Sequence, residues 1–151
     1  MCTHADVADA TAMTAIAEDA KAVAASTEMT ADADVINIMK TAVVILNWNT
    51  EGFLRDFLPG LLQSVRNVEG AEVIVADNAS TDGSMAVMKE MFPQVRTIAF
   101  EKNFGFTGGY NRAFEQIDSE YFVLINSDIE VPQDWLGPIV DWMDTHPECG
   151  A

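Results

Sequence analysis

The chain has 151 residues, 49% of them hydrophobic, which suits one ordinary globular domain with a real core. Eight basic against 24 acidic residues leave a formal net charge of −16, which argues against a non-specific nucleic-acid binder. Such a field also repels a phosphate-bearing ligand unless a metal ion or backbone N–H groups neutralise it locally.

Residues 1–40 are rich in Ala, Thr and acidic residues and contain no aromatic residue. Met13, Ile16 and Val23 give only a thin apolar stripe, so this stretch is expected to be a mobile or weakly helical tail. The N-terminus lacks the basic flank and apolar block of a secretory signal, and no apolar run approaches a membrane span. Cys2 and Cys149 have no metal-like spacing and read as free thiols. Together these features predict a soluble, cytoplasmic protein with no membrane span.

From Thr41 strands and helices alternate. Residues 42–46 (AVVIL) read as a β-branched strand ending at Asn47-Trp48-Asn49. Phe53, Leu54, Phe57, Leu58, Leu61, Leu62 and Val65 then recur at helical spacing, with Pro59 expected to kink or break the helix near Leu58. A second strand over 72–76 leads into the polar run 77–84 and a helix over 84–91. A third strand over 95–100 precedes the glycine-bearing loop 103–111 and a short helix to about Ile117. The run 121–125 (YFVLI) reads as a strand covered on both faces, ending in Asn126-Ser127-Asp128. Pro132 suits a first helical position, and Trp135, Leu136, Ile139, Val140 and Met143 predict a closing helix interrupted by Pro138.

The order β-α-β-α-β-α-β-α predicts an α/β fold with a mostly parallel, Rossmann-like sheet flanked by helices. Each polar loop named above leaves the carboxyl end of a strand, so all four converge on one sheet edge, where ligands bind in such folds. Asp77 can accept a hydrogen bond from a base N–H there, or it can satisfy orphan amides at a helix start, as can Ser80. Gly105, Gly108 and Gly109 suit close backbone approach to a ring or simple turn geometry. Neither G-x-G-x-x-G nor a Walker-type loop is present, which argues against a dinucleotide-binding oxidoreductase. Asp128 is the best metal candidate: Mg²⁺ takes one or two carboxylates plus substrate phosphates, and Asn126 adds a neutral oxygen. His4 and His146 stand apart and do not compete.

The segments VVILNWNT (43–50), VADNASTDGS (75–84), KNFGFTGGYN (102–111) and LINSDIEV (124–131) together resemble the family-2 glycosyltransferases of GT-A fold. The resemblance covers residues 41–151 and implies a nucleotide-sugar-binding domain. By it, Asn47, Trp48 and Asn49 border the base, Asp77 beside Asn78 pairs with it, and Asn103, Gly105, Gly108, Gly109 and Asn111 line the nucleoside. Asp128 bridges diphosphate and Mg²⁺ or Mn²⁺, next to Asn126, where many relatives have the first Asp of D-x-D. Tyr110 stands where many relatives have Arg. The implied reaction is inverting transfer of a sugar from a nucleotide-diphosphate sugar to a saccharide or lipid-linked saccharide acceptor, serving polysaccharide biosynthesis. Relatives carry the acceptor half and the general base beyond this point, so the base is expected outside the chain rather than at Glu130, Asp134 or Glu148. A non-catalytic nucleotide-sugar-binding fragment is the alternative. A phospho-acceptor domain would want an acidic pair after the first strand, where Asn47-Trp48-Asn49 stands.

Overall fold

The computed structural model describes residues 39–148. The tail expected over 1–40 lies outside them apart from its last two residues, as do Cys2, His4 and Cys149. Met39 and Lys40 belong not to a tail but to the first strand, β1 (Met39–Asn47). It is followed by α1 (Glu51–Val65), β2 (Ala71–Asp77), α2 (Ser84–Met91), β3 (Arg96–Ala99), α3 (Gly105–Phe114), β4 (Ser119–Ile125) and α4 (Leu136–Thr145).

The four strands form one sheet in the order β3-β2-β1-β4, and every pair is parallel. β1 lies inside the sheet, and its β-branched run is buried on both faces. Val43 and Ile45 join Val73 and Val75 under Leu54, Leu58 and Leu61 of α1, Val87 and Met88 of α2, and Leu136 and Val140 of α4. Ala42 and Val44 join Ile74 and Ala76 on the other face, beneath Tyr110 and Ala113 of α3. The chain therefore steps outward from β1 through β2 to β3 on one face. It returns over the other face through α3 and lands beyond β1. This reversal puts the switch point between β1 and β4, and in such folds the ligand crevice lies at the carboxyl ends of those two strands. Their pairing stops at Ile45↔Ile125, whereas β1 and β2 stay in register to Asn47↔Asp77.

Five expectations are corrected. β4 is an edge strand: Tyr121 through Leu124 are half-buried and only Ile125 is buried, because β1 is its sole partner among the described residues. Pro59 does not break α1, which runs unbroken through it. Pro59 and Gly60 face solvent, so the Arg55 carbonyl that loses its helical partner can be hydrated. Pro138 does not interrupt α4 either. It is the third residue of that helix, where backbone N–H groups have no partner in any case, while Pro132 lies ahead of the helix in the loop. The glycine-bearing stretch is mostly helix, since α3 starts at Gly105.

Candidate functional site

Because all strands run the same way, the loops after β1, β2, β3 and β4 meet at one edge. Those after β1, β2 and β3 are tied to one another by side-chain hydrogen bonds. Asn47 is fully buried at the end of β1, and its Nδ2 donates to Asp77 Oδ1 (2.7 Å) and to Ser80 Oγ (3.0 Å). The other Asp77 oxygen accepts from the Ser80 N–H at 3.0 Å. Asn47 Oδ1 in turn accepts from the Thr50 hydroxyl. Register explains the pair: Asn47 and Asp77 are partners across the β1–β2 ladder.

Asn49 sits in the left-handed region (φ 55°), which Asn tolerates better than most residues. From there its Oδ1 accepts from the N–H groups of Thr81 (2.7 Å) and Asp82 (3.3 Å), clamping the loop after β2. Ala79 is also left-handed, at φ 61°, a strained conformation for a residue with a Cβ. The starts of α1 and α2 then exchange acceptors. The Glu51 N–H donates to Asp82 Oδ2 (3.0 Å) and the Gly83 N–H to Glu51 Oε2 (3.2 Å), while the Ser84 N–H donates to Asp82 Oδ1 (3.0 Å). Desolvation pushes the Asp82 carboxyl up, but hydrogen bonding from Ser84 and from the Glu51 N–H outweighs it and holds it below its ordinary value.

Asn78 does for α3 what Asp77 does for β1. Its Oδ1 accepts from the Phe104 N–H (2.9 Å), and its Nδ2 donates to Asn103 Oδ1 and the Gly105 carbonyl, both at 3.1 Å. Asn103 Oδ1 accepts from the Gly105 N–H at 2.7 Å, so α3 begins with two of its first amides satisfied. Gly105 has φ 73°, the turn that starts the helix. Gly109 serves close approach to the sheet: a Cβ there would lie 2.7 Å from a Leu46 methyl.

The sequence-predicted residues therefore divide. Asn47, Asp77 and Asn78 are buried with their side chains turned into the protein, so the carboxylate offered to a base edge is committed to the loops. Gly109 is buried and Gly108 half-buried. Trp48, Asn49, Asn103, Gly105, Asn111, Asn126 and Asp128 are exposed at or near the same edge. Trp48 keeps 54% of its surface in solvent beside the crevice, and Phe106, which the sequence did not single out, keeps 63%. The Glu51–Asp82 exchange was also missed, although an Asp two residues ahead of a helix is a capping signal. No cluster of three or more His, Cys, Asp or Glu occurs among the described residues. Asp128 with Asn126, both open to solvent after β4, fits a hard cation that completes its shell with ligand phosphate and water.

The description of Glycosyl transferase family 2 matches residues 42–151. An uncharacterized protein of Mycobacterium tuberculosis is 29% identical over 116 residues, covering 71% of this chain and 32% of that protein. The teichoic acid poly(glycerol phosphate) polymerase of Staphylococcus epidermidis is 24% identical over 98 residues, 61% of this chain and 13% of the polymerase. The chain thus spans about a third or less of the curated relatives it matches. Among solved structures, S. aureus TarS 1-349 in complex with UDP superposes with a TM-score of 0.63 at 24% identity, over 72% of this chain and 33% of that 1-349 chain. The mannosyltransferase PcManGT from Pyrobaculum calidifontis, in complex with GDP-Man and Mn²⁺, gives 0.61 at 21% identity, over 88% of this chain and 40% of its own. The fold is that of the GT-A enzymes, in its N-terminal portion.

Proposed function

Because the chain belongs to glycosyl transferase family 2, we propose that residues 41–151 form the donor-binding part of an inverting enzyme. It moves a sugar from a nucleotide-diphosphate sugar to a saccharide or lipid-linked saccharide, in polysaccharide biosynthesis. The observation that carries this reading is the switch point between β1 and β4 and what stands there. Exposed Trp48 stands at the end of β1, exposed Asn126 and Asp128 at the end of β4, and both open at the switch point of a parallel sheet. The UDP of one like-folded structure and the GDP-Man and Mn²⁺ of another support it.

In this reading Trp48 offers its exposed indole to the base, and Asn103, Gly105 and Asn111 border the nucleoside. Asn47, Asp77 and Asn78 hold those loops at the sheet edge. Asp128, helped by Asn126, holds Mg²⁺ or Mn²⁺. A cation held by Asp128 and Asn126 would supply positive charge to offset what develops on the leaving diphosphate. The acceptor hydroxyl attacks the anomeric carbon opposite the leaving group, its proton taken by a carboxylate that lies outside the described residues.

Thermal unfolding of the chain with UDP, dTDP or GDP, each with Mg²⁺ or Mn²⁺, tests the reading. Ligand at one hundred times its dissociation constant adds about 2.7 kcal/mol of stability. We expect a metal-dependent rise of Tm with one nucleotide that is lost in Asp128→Ala. No rise with any of the three refutes the assignment of this edge as the donor site.

A further inference from the structure

Tyr110 is the largest fully buried side chain among the described residues, 1% exposed, and it ends in a hydroxyl. A buried phenol needs a partner, and this one reaches out of its own helix. Tyr110 Oη donates to the carbonyl of Ile125 at 3.2 Å. Burial pushes its pKa up, partly offset by the backbone of Leu46. The ring is fixed along α3 by Phe106 on one side (centroids 5.0 Å apart, edge-on) and Phe114 on the other (6.0 Å). Ile125 is the last residue of β4 in register with β1, and its carbonyl is where the two strands part. The next three residues are Asn126, Ser127 and Asp128.

We propose that Tyr110 is the positioning residue of this site: its hydroxyl ties off the β1–β4 ladder where the strands separate and so sets where the 126–128 turn presents Asp128. The physical reason is connectivity. Among the described residues β4 is an edge strand with one partner, and beyond Ile125 no ladder bond restrains it. One side-chain bond, delivered from a helix packed against the opposite sheet face, restrains the residue from which the turn departs. Phe at this position would keep the packing and remove the hydroxyl that donates to the Ile125 carbonyl. The inference rests on the donor-site reading for its consequence, not for its geometry.

The test compares wild type, Tyr110→Phe, and Ile117→Val as a control for a mild loss of core packing on the same side of the sheet. Two quantities are read. In the ligand-free chain, amide hydrogen exchange of residues 126–128 should quicken about tenfold in Tyr110→Phe relative to the control, the size expected when one buried bond is lost. With UDP, dTDP and GDP titrated in turn, the apparent Mn²⁺ dissociation constant should rise about five- to tenfold in Tyr110→Phe and stay at the wild-type value in the control. Unchanged exchange at 126–128 overturns the proposal. So does faster exchange with unchanged Mn²⁺ affinity, which would make the hydroxyl merely structural. If wild type binds none of the three nucleotides, the donor-site reading fails, while the exchange arm still decides whether Tyr110 holds the turn.

Discussion

Removing the Asp77 carboxylate strands the Ser80 N–H and one of the two Asn47 amide hydrogens, the other being held by Ser80 Oγ. Both lie in the least exposed part of the loop cluster, so Asp77→Ala is expected to cost about 2–4 kcal/mol, the penalty of unpartnered buried groups. Urea denaturation measures this; a loss below about 0.5 kcal/mol, the scale of an ordinary surface change, would refute the role. That Asp77 ends a strand is legible in EVIVAD, since the continuous apolar run stops there. Which of its two readings holds is not. The deciding partner, Asn47, lies thirty residues away and is brought beside it only by the strand register. The same applies to Tyr110: an aromatic residue at helical spacing announces core, and nothing local announces that its hydroxyl meets another strand.

At the level of elements, the strand and helix order was fully legible, because burial on both faces writes continuous apolar runs and one-sided burial writes helical ones. The prolines were misjudged because the sequence does not say which face of a helix a residue takes. Pro59 lies on the solvent face of α1, where a missing backbone bond is hydrated rather than buried. It remains a weak point. Pro59→Ala restores an N–H and a strong helix former, and should stabilise the chain by about 1–3 kcal/mol. Thermal unfolding checks this; a lower Tm in the variant would mean that Pro59 fits a bend the core requires. Edge against centre is likewise a property of the assembled sheet, which is why β4, as apolar in sequence as β1, was expected to be covered.

Over the whole molecule, a charge of −16 opposes the approach of any diphosphate. Lys40 is neutralised by Glu120 and Asp144, and Arg55 by Glu51. Lys102 and Arg112 both lie over the Phe104 ring, 5.1 and 3.8 Å from its centre, and place positive charge beside the start of α3. If the global field governs encounter, stopped-flow association of the nucleotide at fixed Mn²⁺ should speed up about two- to fivefold as ionic strength rises from about 0.01 to 0.1 M and the Debye length shrinks. A slowing would assign control to the local cations. The strand order also bears on how the molecule comes into being. β1 meets β2 across a separation of thirty residues but meets β4 across eighty. Closing the longer loop costs about 0.9 kcal/mol more in chain entropy. The β1–β2 pair can therefore form well before β4 arrives, and the crevice has no precursor in a half-folded chain. A chain caught part-way would have its hydrophobic centre in place and no site at all, so ligand binding reports completion of folding where a stability probe in the β1–β2 core would not.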